Sequence, residues 1–181
     1  MMKEMNDRTT DPPRVLIRRP EPEDASSFLV LMQESRSLHA PWVSPPLTEE
    51  DFARYLASRD GIRQDGFLVC CRQTGAIAGV INLNEIVRGC FQSAYLGYYA
   101  TAPFAGKGLM REGLDQVVRH AFGEMGLHRL EANIQPENQA SLALVRRCGF
   151  RREGYSPRYL RIGEKWCDHE RWALLAESGL D

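Results

Sequence analysis

Apolar residues along this chain recur at two spacings, and the switches between them outline the elements. Val15-Leu16-Ile17-Arg18 is a short first strand, and Glu21-Pro22-Glu23-Asp24 reads as a loop with an acidic helix start. Ala25 to about Ser35 carries Phe28, Leu31 and Met32 at helical spacing. Leu38–Pro46 is a proline-broken loop that holds Trp42. A second helix starts near Thr48, where Thr48-x-x-Asp51 supplies a capping pattern and Phe52, Tyr55 and Leu56 an inward face. Phe67–Cys71 and Ile77–Val87 read as antiparallel strands that turn at Gln73-Thr74-Gly75, and Ser93–Ala100 is the next strand. From Leu109 the period returns to that of a helix, with Leu109, Met110, Gly113, Leu114, Val117, Val118, Ala121 and Phe122 on one face over 109–123. After Gly126, the stretch His128–Gln135 sets Leu130, Ala132 and Ile134 against Arg129, Glu131 and Asn133. Pro136 and Asn138 start a further helix that ends at Cys148-Gly149, and Phe150–Tyr155 and Lys165–Leu175 close the sheet. This order predicts an α/β fold with a mixed sheet: one domain over 14–176, behind a flexible leader over 1–13 and before a short tail over 177–181.

Composition narrows the class. A chain of 181 residues suffices for one domain with a full core, and its 43% apolar and 26% charged residues are those of an ordinary soluble protein. Basic and acidic residues nearly cancel, 23 against 24, so no general basic field speaks for direct nucleic-acid binding. Arg146, Arg147, Arg151 and Arg152 form only a local basic run. The five cysteines are odd in number with no Cys-x-x-Cys pair, which suits free thiols in a reducing cytosol. His39, His120, His128 and His169 show no ligand spacing, so no metal is expected. No apolar run approaches the ~18 residues of a membrane span, and Met1–Pro13 is polar, so the expectation is a cytoplasmic protein without a membrane partner.

The most informative stretch runs from Tyr95 to Met110. A β-run to Ala100 is stopped by Pro103, which has no N–H for a ladder; Gly106 and Gly108 follow, and the helix begins at Leu109. Strand, glycine turn and helix N-terminus in that order can cradle an anionic phosphate on backbone N–H groups. The same pattern also suits an ordinary tight β-α turn.

Gly97–Met110 followed by Asn138–Phe150 resembles the GNAT superfamily of acetyl-CoA-dependent N-acetyltransferases. Their phosphate loop, Gln/Arg-x-x-Gly-x-Gly/Ala, is met by Pro103-Phe104-Ala105-Gly106-Lys107-Gly108, with Pro103 in place of the first polar residue. Tyr95-Leu96-Gly97-Tyr98, Gly106-Lys107-Gly108-Leu109-Met110, Glu153-Gly154-Tyr155, Tyr159-Leu160-x-Ile162 and Trp166-x-Asp168-His169 are similar to the branch of ribosomal-protein alanine N-acetyltransferases. The resemblance spans roughly residues 15–176 and implies a central mixed, mostly antiparallel sheet flanked by helices.

The resemblance also implies a site. The pyrophosphate of acetyl-CoA would rest on the N–H groups of Ala105, Gly106, Lys107, Gly108, Leu109 and Met110, with the Lys107 side chain either adding charge or simply solvated. The pantetheine arm would pair with the backbone of Tyr98, Tyr99 and Ala100, in a gap before the Arg129–Gln135 strand with Asn133 near its mouth. Asn138 would bind the pantetheine, and Ser141 would sit near the sulfur as proton donor, although an N-cap and a first-turn residue explain both equally. Many members use a tyrosine four residues after that serine, where this chain has Val145. Arg147 is the candidate for the 3′-phosphate, and Trp42 and Tyr159 for the acceptor pocket, with solvated and core roles as their alternatives.

The general base is the open point. Relatives in a neighbouring branch place Glu where this chain has Tyr95 and Leu160. A free α-amine with a pKa near ~7.8 costs about 1 kcal/mol to deprotonate at neutral pH, against about 4.6 for a lysine near ~10.4. A water chain ending on Glu85 or Asp168 can serve the first far more easily. Asp168 and His169 cannot act on one atom as a dyad, because adjacent strand residues face opposite ways. The expectation is acetyl transfer by direct attack in a ternary complex onto a protein N-terminal α-amine, with a ribosomal-protein-like acceptor, by a monomer or homodimer. A small-molecule amine acetyltransferase and a CoA-binding module without turnover are the competing readings.

Overall fold

The computed structural model describes residues 12–176, so residues 1–11 of the expected leader and the whole expected tail lie outside it. Seven strands form one sheet: β1 (Val15–Arg18), β2 (Asp65–Cys71), β3 (Ile77–Val87), β4 (Ser93–Ala100), β5 (Arg129–Ile134), β6 (Arg151–Ile162) and β7 (Lys165–Leu175). Their order across the sheet is β1-β2-β3-β4-β5-β7-β6, antiparallel everywhere except at the parallel pair β4–β5. Among the described residues five α-helices accompany it: α1 (Ala25–Glu34), α2 (Arg36–His39), α3 (Glu49–Ser58), α4 (Leu109–Gly123) and α5 (Gln139–Arg147). No helix among the described residues is long and apolar enough to cross a membrane.

The central strands are buried on both faces. On one, Phe67, Val69, Ile81 and Leu83 meet Leu114 and Val117 of α4 and Leu142 and Val145 of α5. On the other, Leu68 and Val80 meet Phe28 and Met32 of α1 and Phe52 of α3. Gly113 lets α4 lie close to the sheet, since a Cβ there would stand 2.6 Å from Val69 Cγ2. Two of the polar positions in β3 are used to dock α3. Tyr55 Oη donates to Asn82 Oδ1 at 2.8 Å, and Arg59 Nη1 donates to Asn84 Oδ1 at 3.0 Å.

The elements expected from periodicity form, with two differences. The segment after α1 makes the single turn α2 before its prolines straighten it. The strand expected to stop at Tyr155 runs on to Ile162, through Pro157. It can do so because β6 is the sheet's edge, and a register shift between Ser156 and Leu160, with Arg158 at φ 48, takes Pro157 out of the ladder.

Candidate active site

The site grows from a fault in the sheet. Strands β4 and β5 pair only from Ser93 with Arg129 to Leu96 with Ala132, and then part, leaving Gly97–Ala100 paired to β3 alone. The ladder phase decides what faces the split. Thr101 N–H donates to Ala78 C=O at 2.9 Å, so Tyr99 also turns its N–H and C=O toward β3, while Tyr98 and Ala100 turn theirs into the split. Of the three backbones expected to receive an extended arm, Tyr99 is therefore already occupied, and the Ala100 carbonyl accepts from His39 Nε2 at 2.7 Å.

From the split the chain runs into the glycine loop. Gly106 and Gly108 both adopt positive φ, +74 and +80, and Gly108 is the N-cap of α4. The N–H groups of Ala105 and Lys107 make long turn contacts of 3.4 Å, to Ala102 and Phe104. Those of Gly106, Gly108, Leu109 and Met110 have no partner among the described residues, as a helix N-terminus awaiting an anion requires. Leu109 is buried in the core and the Met110 side chain packs over Gly79, so both are anchored while their amides stay open. Lys107 Nζ lies 5.6 Å from the centroid of the Phe104 ring. A brace not evident in the sequence comes from Arg14. Its Nε donates to Glu112 Oε1 at 2.6 Å, its backbone N–H to Glu112 Oε2 at 2.8 Å, and its Nη2 to the Lys107 carbonyl at 3.2 Å.

The split opens as a cleft of about 460 Å³. The cleft is lined by Trp42, Glu85, Tyr98, Asn133, Asn138, Ser141 and Tyr159, which sequence reasoning named, by Tyr95 and Leu160, which it set where relatives carry Glu, and by Gln135 and His169, which it did not place there. Asn138 caps α5, its Oδ1 accepting from Ser141 N–H at 3.1 Å. Ser141 Oγ is 2.6 Å from Tyr98 Oη, a pair 43 residues apart in the chain. Burial pushes the Tyr98 phenol well above its ordinary value of 10.0, so it stays protonated and able to donate. The carboxamide oxygen of Asn133 is buried and has no hydrogen-bond partner among the described residues. These open amides, unpaired strand backbones and the orphaned Asn133 oxygen fit a ligand that carries phosphates at one end and peptide-like amides along its arm.

Arg147, expected at the 3′-phosphate rather than in the cleft, is exposed on the last turn of α5. One residue expected at the cleft falls elsewhere. Asp168 lies on the far face of β7, where it accepts from Tyr155 Oη and from Arg158 N–H, the latter at 2.7 Å. The alternation that turns Asp168 away turns His169 in: Asn133 of β5 pairs with Arg171, and His169 shares that face two residues away. Glu85 does reach the rim, at φ 45 in the irregular stretch of β3, with Arg63 Nη2 3.4 Å from its carboxylate. A second, shallower groove of about 590 Å³, between β1 and α4, carries Arg18, Arg19, Arg72 and Arg119 and shares no residue with the cleft. Among the described residues no group of three or more His, Cys, Asp or Glu side chains is placed to hold a metal ion.

The acetyltransferase (GNAT) domain family matches residues 14–151. This chain belongs to that family. It is 43% identical over 98 residues to the [ribosomal protein uS5]-alanine N-acetyltransferase of Escherichia coli, which is 54% of this chain and 50% of that protein. The chain spans about half the length of the curated relatives it matches. Its fold superposes on Mycobacterium smegmatis RimJ in complex with CoA-disulfide with a TM-score of 0.82 at 26% identity, covering 92% of this chain and 84% of the other. The spermidine N-acetyltransferase of Vibrio cholerae, solved with CoA and spermine, shares the fold at a TM-score of 0.76 and 21% identity, over 90% of this chain and 95% of that one.

Proposed function

We propose that this GNAT-family chain is an acetyl-CoA-dependent N-acetyltransferase whose acceptor is the N-terminal α-amine of a ribosomal-protein-like protein. The observation that carries the reading is the parting of β4 and β5 directly before a glycine loop with open amides. Bound there, acetyl-CoA supplies an acyl thioester. The amides of Gly106, Gly108, Leu109 and Met110 hold its phosphates, and the Tyr98 and Ala100 backbones orient its arm. Ser141, held by Tyr98, stands where a leaving thiolate needs a proton, and the buried Tyr98 phenol can restore the serine's hydrogen. A backbone N–H of the split would stabilise the oxyanion that forms as the amine attacks. Trp42 and Tyr159 wall the acceptor end.

The α-amine is favoured by energetics and by likeness. The carboxylate that lines the cleft, Glu85, is exposed and paired with Arg63, a poor means of deprotonating a lysine. The relative in E. coli is named for N-acetylation of an alanine of ribosomal protein uS5, and the reading extends a protein acceptor to this chain. The test is mass spectrometry on peptides beginning with Ala or Ser, with free or blocked N-termini, beside a polyamine panel. Acetylation confined to free α-amines is expected. Comparable turnover of a blocked peptide's lysine defeats the acceptor assignment, and preference for a polyamine moves it to a small amine.

A further inference from the structure

On the reading just given, the incoming amine arrives protonated, since only about one in seven α-amines is neutral at pH 7. Neither Tyr95 nor Leu160 offers a carboxylate at the cleft, and Asp168 is on the wrong face of its strand. His169 is on the right one. It is 3% exposed, lines the cleft, and meets the Tyr159 ring edge-on at 6.3 Å between centroids.

Its tautomer follows from one contact. His169 Nδ1 lies 2.9 Å from the carbonyl oxygen of Cys167, and a carbonyl can only accept, so Nδ1 carries the hydrogen. In the neutral ring the lone pair is then on Nε2. That nitrogen has no partner among the described residues, yet it is not sealed from solvent as Nδ1 of His39 is. The ring is thus fixed, with its basic atom free. Its electrostatic surroundings are mixed. Asp168 and Arg171 flank it along β7, Tyr159 faces it from β6, Tyr95 and Glu131 lie on the same sheet face of β4 and β5, and Glu85 stands at the rim of β3. Burial holds His169 below its ordinary value of 6.5, against the opposing pull of the Cys167 carbonyl and the Asp168 charge. It is therefore neutral, and able to accept, at pH 7.

We propose that His169 is the proton acceptor of the reaction, its Nε2 taking a proton from the acceptor ammonium directly or through one water. The freed lone pair forms the N–C bond to the thioester carbonyl carbon, and the C–S bond breaks. The nitrogen's second proton balances the one delivered to the thiolate through Ser141, so one proton leaves in net, from His169 to solvent. As His169 charges, its Nδ1–H bond to Cys167 strengthens and stabilises the imidazolium.

The experiment compares wild type with His169→Gln and His169→Ala in the full chain, measuring kcat/KM against pH on the free-N-terminus peptide and acetyl-CoA affinity by calorimetry. Wild type should show an acid limb with its inflection below 6.5. In His169→Gln the inflection should move to the peptide amine's own ionisation near ~7.8, with a loss of roughly 10²–10⁴-fold at pH 6.5 that narrows above pH 8. Acetyl-CoA affinity should hold, and imidazole should restore part of the His169→Ala rate. An unchanged inflection with turnover within twofold of wild type overturns the proposal, as does a rate loss that tracks lost acetyl-CoA affinity or unfolding and that imidazole leaves untouched. If wild type instead acetylates a lysine or a polyamine, the acceptor reading fails, and the same comparison on that amine still decides His169. Turnover of no amine at all removes both.

Discussion

Replacing Gly108 by Val tests the phosphate cradle through a backbone angle rather than a side chain. Gly108 sits at φ +80, where an L-residue costs about 1–2 kcal/mol and a β-branched one more. A Cβ there would approach Arg14 Nη2 at 3.2 Å, but that is the far end of a flexible side chain and can give way. The backbone term therefore dominates. If the loop keeps its shape, a penalty of ~2 kcal/mol lowers Tm by about 4–8 °C for a domain of this size. If it relaxes out of the left-handed region, the amides of Leu109 and Met110 turn from their common target. Hydrogen bonds to a charged group are worth about 1.5–3 kcal/mol each, so losing two weakens binding by roughly 10²–10⁴-fold. Calorimetric titration with acetyl-CoA, paired with a thermal melt, separates the outcomes. Gly106→Ala is the control, because a Cβ there meets nothing within 4 Å and adds strain at φ +74 alone, so its effect on affinity should be smaller. A well-folded Gly108→Val variant that binds acetyl-CoA within threefold of wild type refutes the loop assignment.

Ser141→Ala should cut turnover about ten- to a thousand-fold with acetyl-CoA affinity little changed, and Tyr98→Phe, which removes the 2.6 Å partner of that serine, should lose a smaller share of the same step by the same steady-state assay. Asp24 is held below the ordinary carboxylate value of 3.8 chiefly by Arg18, bonded at 2.5 and 2.7 Å, and also accepts from Glu21 N–H. Its contribution is present above that value and is lost as pH falls through the lower folded value. Asp24→Asn should therefore cost about 1–3 kcal/mol at pH 7 in urea unfolding, a gap that closes below pH 3.8, and a gap unchanged at pH 2.5 contradicts the pairing.

Much of this architecture was legible in order of residues because burial imposes a local period. Val15–Arg18, Ile77–Val87 and Lys165–Leu175 form strands with the expected bounds, and Leu109–Gly123 the expected helix, since each must present an apolar face at spacing 2 or 3.6. The glycine loop was legible too, as positive φ at Gly106 and Gly108 is a demand that glycine answers without strain. Strand β6 was read short because a proline inside a strand is excluded only in a sheet's interior, and nothing local says which strand is the edge.

The site itself needed the tertiary structure. Sequence could say that Asp168 and His169 face opposite ways but not which of the two faces the cleft; the pairing of Asn133 with Arg171 makes that choice. It marked Val145 as a missing tyrosine, while the hydroxyl that meets Ser141 arrives from Tyr98 on another strand. It named Tyr98, Tyr99 and Ala100 together as a backbone edge, and the ladder with β3 takes Tyr99 out of it. Arg14 braces Lys107 across 93 residues of chain, with no motif linking the two. Period and turn chemistry depend on neighbours a few residues away, so the chain carries them in plain order. Register, and the side chains it brings together, depends on how every strand settles against the next, and only the folded sheet decides it.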